Sequence, residues 1–296
     1  MVRNQMTNKK FYYITVGKKS RKLILLTVLL SLTAIILSSV TPIILKTVVD
    51  KIAKHSEQTF LYIVLLAIVF FLSNIFFEMR WWAYSNADQN NFLDHIKKVL
   101  EFKPETTAIR AHTSALGNRV LISTTLFTFS PIIGEVLLGS FFVFKVMSIK
   151  YSLIYLFSAF LQIFVGIIFT YKLNPLFSKT RELEVSYFDA LNKETRDVNE
   201  IQDKVNNWYG SLKKINMLRT VIKSSSLIWP SLGLILINYF AMSDFNLNAI
   251  TVGSILAINT YVLQSSVKVE MVSTTLRDAV IARNDIFAAF DENRNK

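Results

Sequence analysis

The sequence contains no cysteine, which excludes disulfides, thiolate metal sites and a cysteine nucleophile. Its three histidines, His55, His95 and His112, fall in separate segments without an HExxH or paired spacing, so neither a zinc site nor a charge relay is indicated. A Walker A sequence is also missing. The nearest string, Gly17-Lys18-Lys19-Ser20, has Tyr12 where the upstream glycine belongs and Lys19 where Ser or Thr would bind magnesium. It reads as a basic patch for a membrane surface, with no phosphate cradle. With five prolines and eight glycines in 296 residues, no Pro- or Gly-rich linker and no low-complexity segment divides the chain, which reads as one domain. No catalytic machinery is recognisable.

Charge is scarce as well, at 18% of residues, and it falls in blocks separated by long apolar runs. Hydrophobic residues make up 52% and the mean hydropathy is +0.38, values that soluble domains of this length seldom reach. Thirty-three Lys and Arg against 21 Asp and Glu give +12. In a soluble protein that excess would point to nucleic acid, but the basic blocks carry no nucleic-acid motif and are explained by orientation in a membrane.

Crossing about 30 Å of hydrocarbon at 1.5 Å per residue takes roughly 17 to 25 apolar residues. Six runs are predicted to do so: 23–45, 60–77, 121–147, 151–171, 221–242 and 250–267. A cleaved leader is the competing reading of the first, but its apolar part is too long and no A-x-A site follows. The second ends in Glu78, Arg80, Trp81 and Trp82, where indoles suit the headgroup level. Six spans divide the 33 basic residues 28 to 5, which sets both termini on the cytoplasmic side of the cell's inner membrane.

The outer connections are short, whereas the inner ones, 78–120 and 172–220, are long and helical in pattern. Phe92, Leu93, Ile96, Val99 and Leu100 recur at helical spacing in one, and Val185, Phe188, Leu191, Val198, Ile201, Val205, Trp208, Leu212 and Ile215 in the other. Two cytoplasmic helical hairpins follow, with arms of roughly 30 to 35 Å. The first turns between Phe102 and Thr113, near Pro104, and the second between Leu191 and Glu200. The expected fold class is therefore an all-α membrane protein of six transmembrane helices with two long cytoplasmic hairpins.

That layout resembles the transmembrane domain of type-I (type IV fold) ABC exporters, over nearly the whole chain. The basic stretch 1–22 with Phe11, Tyr12 and Tyr13 looks like that family's elbow helix. Pro42 with Val49-Asp50 is similar to its P…ID pattern, and Ile250-Thr251-Val252-Gly253-Ser254-Ile255-Leu256-Ala257 to its iTvGxlxA. Ala282-Arg283-Asn284-Asp285-Ile286 with Phe290-Asp291 looks like the closing A-x-R-I…D segment, and Ser130-Pro131 with Glu135 is a weaker match to the third helix of the iron-sulfur and peptide branch. Two departures stand out. The proline many relatives carry midway down the sixth helix is absent, the stretch reading Ser265-Ser266-Val267-Lys268-Val269-Glu270, and the sequence ends at Lys296, about where an ATPase domain would begin.

The resemblance implies a permease subunit of an exporter, working as a homo- or heterodimer with a separately encoded ABC ATPase that binds ATP and Mg; this chain itself would hold no cofactor or metal and contact no nucleic acid. It further implies that the hairpin tips act as coupling helices, with Thr106, Ile109 and Arg110 at the first and Asn192, Glu194, Arg196 and Asp197 at the second. For any one of these a solvated face with local ion pairs is the competing reading. Cargo contacts are sought among intramembrane polar groups, which are costly to bury unless they line a cavity or find partners. These are Glu135, Gln162, Asn74, Asn238, Asn259 and Gln264, with interhelical hydrogen bonding as the competing role. Phe141, Phe142 and Phe144 fit lipid or an amphipathic cargo. Peptide, lipid and amphipathic small-molecule cargoes all stay open. Two further readings compete with the permease. One is a proton-coupled transporter of the same fold in which Glu135 carries the proton, and the other a membrane protein that sequesters a toxic peptide as an immunity factor.

Overall fold

The computed structural model describes residues 14–106, 108–191 and 198–290, and among them there is helix and no strand. The predicted elbow residues Phe11, Tyr12 and Tyr13, the second-tip residues Asn192, Glu194, Arg196 and Asp197, and Asp291 lie outside the described residues. In chain order the helices are α1 (Arg21–Ala53), α2 (Thr59–Phe102), α3 (Ala108–Thr124), α4 (Ser130–Val146), α5 (Ile149–Leu191), α6 (Val198–Ser226), α7 (Ile228–Asn246) and α8 (Val252–Phe290). A single π turn, Thr125–Phe129, joins α3 to α4.

Helix length separates the part that crosses lipid from the part that projects. α2 has 44 residues, α5 43 and α8 39. At 1.5 Å per residue each is about twice as long as hydrocarbon is thick. Five helical stretches are long and apolar enough to cross a bilayer: Arg21–Ala53, Thr59–Phe102, Arg110–Val146, Ile149–Leu173 and Val198–Asn246. The chain is a multi-pass membrane protein. The sixth predicted span, 250–267, falls on the loop before α8 and its first half, where Asn259, Gln264, Ser265 and Ser266 dilute its hydropathy.

Two ends of the bundle follow from these lengths. At the loop end the connections are tight, and α1 and α7 each stop on a residue in the left-handed region just past the cap, His55 at φ 47° and Asn248 at φ 56°. At the stalk end, α2 with α3 and α5 with α6 run on as pairs. α6 and α7 are separated only at Leu227, three residues before Pro230, whose ring and missing N–H disfavour a continuous ladder there. α8 runs unbroken to Phe290.

The main core lies among α4, α5, α7 and α8, built on Val136, Val143, Tyr155, Ile237, Ile258 and Val262. A second, smaller core closes the stalk end, where Val99, Ala111, Ile286, Ala289 and Phe290 bring α2, α3 and α8 together. The outward faces are apolar, with Phe60, Phe71, Phe157 and Phe160 all exposed. Phe141 and Phe144 share that surface, while Phe142 packs against the main core.

The first stalk corrects one sequence expectation. Of the stripe Phe92, Leu93, Ile96, Val99 and Leu100, only Val99 is fully buried, and Leu93 and Leu100 are exposed. The inward face of α2 is instead Tyr84, Asp88, Asn91, His95 and Val99. It is polar because it receives the extended segment before α1, whose backbone groups require hydrogen-bond partners when buried.

Candidate functional site

The motif residues meet one another at the two ends of α8. At the loop end, Asp50 on α1 accepts hydrogen bonds from Lys46 Nζ at 2.7 Å, Thr251 Oγ1 at 3.0 Å and the Gly253 N–H at 3.2 Å. A carboxylate beside the first N–H groups of a helix offsets their unsatisfied donors and favours the dipole. Gly253 must be small, because a Cβ there would lie 2.5 Å from the Lys46 carbonyl oxygen. At the stalk end the corresponding close approach is Gly117 of α3, where a Cβ would lie 2.5 Å from the Ala282 carbonyl oxygen of α8.

Between these anchors the polar intramembrane side chains gather where α1, α4, α5 and α8 converge. Ser38, Ser39, Glu135, Tyr155, Tyr261, Gln264 and Ser265 line a narrow cleft. Gln264 lies about 18 Å from the start of α8 at 1.5 Å per residue, which is mid-membrane depth. Glu135, a sequence candidate, is buried and forms an ion pair with Lys268 of α8 at 2.5 Å, and it accepts a longer hydrogen bond from Ser38 Oγ at 3.3 Å. The Tyr261 hydroxyl donates to the Ser39 carbonyl oxygen and ties α8 to α1 across the cleft.

The other candidates divide. Gln264 is exposed on the cleft wall, whereas Gln162 is buried and donates to the Ser266 carbonyl oxygen at 3.0 Å, joining α5 to α8. Asn259 and Asn238 form a reciprocal amide pair at 3.0 Å between α8 and α7. Asn74 is not brought to the cleft. It faces outward on α2 and donates to the Phe70 carbonyl oxygen one turn back, at 2.7 Å. At the first stalk tip α2 ends at Phe102 and α3 begins at Ala108, with Thr106 in the turn and Ile109 and Arg110 in the first turn of α3. Arg110 is exposed.

Sequence reasoning missed two groups. One is a clasp that holds the chain's first described residues to the stalk. Asn118 accepts from the Thr15 N–H at 2.9 Å and donates to the Thr15 carbonyl oxygen at 3.1 Å, Asn91 accepts from the Gly17 N–H at 2.9 Å, and Ser20 Oγ donates to the Ala87 carbonyl oxygen at 2.9 Å. His95 is central to it. Fully buried, it bridges Thr15 Oγ1 at 3.1 Å and Ser114 Oγ at 2.9 Å and lies edge-on to Phe290. His95 sits some 27 Å along α2 from Phe77, well outside the apolar span. Burial, with the Lys98 charge as a second cause, pushes its imidazole down to about 4.

The other missed group is cationic. Arg80 is 8% exposed, and its guanidinium lies over the rings of Phe77 at 4.5 Å and Phe127 at 4.9 Å. Phe127 belongs to the π turn and stacks on Trp81 with centroids 3.9 Å apart. Arg80 Nε and Nη1 have no hydrogen-bond partner among the described residues. A serine-rich stretch containing a lysine was visible in the sequence at 265–268, but nothing local indicated that Lys268 meets Glu135, 133 residues earlier. Among the described residues no three His, Asp or Glu side chains are grouped to hold a metal.

Neither a family model nor a curated protein matches the sequence. The likeness is in the fold: a bacterial Atm1-family ABC exporter with ATP bound superposes with a TM-score of 0.73 at 14% identity, covering 92% of this chain and 53% of that one. The chain thus spans about half the length of that exporter. At this identity the likeness speaks for architecture alone, and the architecture is that of an ABC exporter transmembrane domain.

Proposed function

We propose that the chain is the transmembrane subunit of an ABC exporter, one that moves its cargo across the cytoplasmic membrane with a separately encoded ATPase. The observation that carries this reading is the shared architecture: apolar spans that continue as two paired stalks, over the half of an ATP-bound exporter that this chain covers. Rocking one helix set against another requires rigid arms that end in docking surfaces, and α2 with α3 and α5 with α6 supply such arms. The 28 to 5 division of basic residues supports placing the stalks in the cytoplasm.

A second copy, or a related chain, completes the pore in this reading. α6 packs chiefly on α5, its outward face carries exposed Val198, Tyr209 and Met217, and nothing lies within 4 Å of a Cβ placed on Gly210. Apolar residues on a stalk that stands in water are expected to be covered by a partner. Cargo would pass the cleft between Ser38, Glu135 and Gln264.

The test is copurification with an ATP-hydrolysing protein, followed by joint replacement of Glu194, Arg196 and Asp197 by alanine at the second tip. Loss of transport-stimulated ATP hydrolysis with unchanged thermal unfolding of the spans is the expected result. Unaltered transport would remove the coupling role, and proton-driven uptake abolished by Glu135→Gln in the absence of any ATPase would replace the proposal with a proton-coupled carrier.

A further inference from the structure

The charges buried at the stalk-side border of the bundle do not balance. Arg80 and Lys268 lie against the same ring, 4.5 Å and 5.6 Å from the centroid of Phe77, and Glu135 is the carboxylate both of them feel. Glu78, two residues from Arg80, also acts on it electrostatically but is exposed on another face of α2. Glu135 is committed to Lys268. The aromatic rings satisfy the faces of the Arg80 guanidinium, but its N–H groups lie in the guanidinium plane, and Nε and Nη1 remain unpaired although buried. A buried cation with orphaned donors is costly and calls for an anion. The π turn adds to this, since the wider turn at Thr125–Phe129 is what carries Phe127 beneath Arg80 and onto Trp81.

Position along the helices narrows the chemistry. Counted from the loop end at 1.5 Å per residue, Lys268 lies about 24 Å down α8 and Arg80 about 32 Å down α2, so the pair sits where hydrocarbon gives way to headgroups. Lys268 is the accessible member, its side chain 38% exposed against 10% for Glu135.

We infer that Arg80, Glu135 and Lys268 form a charge-exchange site for an amphipathic monoanion, whose carboxylate, phosphodiester or sulfonate takes Lys268 while Glu135 transfers to an unpaired N–H group of Arg80. Free, the trio carries one net positive charge inside the bundle; occupied, it is neutral, and each cation has one anion. The apolar body of the ligand lies along the aromatic surface of Phe77, on the membrane side. Binding therefore moves a carboxylate of α4 from α8 to α2, which couples occupancy to the packing of three helices. The inference rests on the transport reading only in calling the ligand a cargo, because binding is measured without an ATPase.

The probe is 11-(dansylamino)undecanoate, with its neutral amide as control, titrated by fluorescence into the full chain in phosphatidylcholine nanodiscs. The acid is expected to bind and the amide to bind at least about tenfold more weakly, the scale expected when a charge partner is lost. Lys268→Gln should weaken the acid by a similar factor. Glu135→Gln, which keeps the shape of the side chain, should tighten it, since no carboxylate then competes for Lys268. Arg80→Met should weaken binding in the wild-type background and have no effect in the Glu135→Gln background, because Arg80 only receives Glu135. Equal binding of acid and amide, weaker binding by Glu135→Gln, or an undiminished Arg80 effect in the double variant would each overturn the inference. Should Arg80→Met fail to fold, the sign of the Glu135→Gln change still decides. Repeating the titration with phosphatidylglycerol in the nanodisc separates the sources: competition that Lys268→Gln abolishes identifies a lipid headgroup as occupant, and unchanged affinity a free amphiphile. Loss of ATP-coupled transport with binding intact would strike the permease reading alone.

Discussion

Replacing Lys268 by Met should destabilise the bundle more than replacing its partner Glu135 by Gln, and the reason lies in the unequal burial of the two ends. The Glu135 side chain is 10% exposed and its remaining contact is a 3.3 Å hydrogen bond from Ser38. Without Lys268 the carboxylate either stays in a medium of low dielectric with one long neutral donor or shifts to Arg80, an arrangement the unliganded protein does not adopt. Orphaning one member of a fully buried pair costs about 3–5 kcal/mol. Because the Lys268 side chain is 38% exposed, part of the pair is already screened by solvent, and about 2 kcal/mol is the better figure. In Glu135→Gln the amide keeps the Ser38 contact, while Lys268 can extend toward water, so the loss should be about 1 kcal/mol or less. The double variant removes both charges and should behave like Glu135→Gln, leaving a coupling of about 2 kcal/mol.

Thermal unfolding at one scan rate in one detergent checks this. With a shift of roughly 2–4 °C per kcal/mol for a chain of this size, Lys268→Met should lower the midpoint by about 4–8 °C, and adding Glu135→Gln should restore about half or more of the loss. Equal, additive losses for the two single variants would refute the reasoning, since they would mean that neither charge depends on the other.

Two further outcomes follow from the ends of α8 and from the stalk clasp. Asp50→Ala removes the acceptor of three hydrogen bonds at the start of α8 and should cost about 1–2 kcal/mol, seen as a midpoint lowered by several degrees; an unchanged midpoint would mean that water replaces Asp50 without penalty. His95, held at about 4 against an ordinary 6.5, contributes stability that is present above pH 6.5 and is lost as pH falls toward 4, about 3 kcal/mol across that window. Hydrogen-exchange protection factors in residues 14–20, taken against the intrinsic rate at each pH, should fall between pH 7 and 5 in the wild type and not in His95→Phe; acid-insensitive protection in the wild type would count against the clasp.

The long apolar helices were legible because crossing lipid demands an unbroken run of apolar residues, and such runs cannot be disguised. The rotation of each helix about its axis was not. In 60–77 almost every residue is apolar, so nothing in the run tells which side faces protein, and its one amide, Asn74, faces away from the cleft. Glu135 was singled out because a lone carboxylate in an apolar run must have a partner; the partner, Lys268, lies too far along the chain for spacing to reveal it. The clasp on α2 was hidden for the opposite reason. Its inward residues Asn91 and His95 are polar, so a search for apolar periodicity selects Leu93 and Leu100, which the helix turns outward.

The absence of a proline in α8 gains meaning from what holds its two ends. Asp50 and Gly253 fix the loop end to α1, while Gly117 and Phe290 fix the stalk end to α3 and to His95. A proline would place a kink between those anchors and let the halves move independently. Without one, α8 spans 39 residues as a continuous rod, and displacement of the stalk must be taken up where α8 meets its neighbours through replaceable polar contacts. Two of those contacts, the Lys268–Glu135 pair and the Gln162 bond to the Ser266 carbonyl oxygen, fall within two residues of each other on α8. Packed apolar surfaces slide only at the cost of voids, whereas ion pairs and amide bonds can exchange partners without opening one. The middle of α8 is therefore where a ligand that offers one of these groups a new partner has the largest effect on the rest.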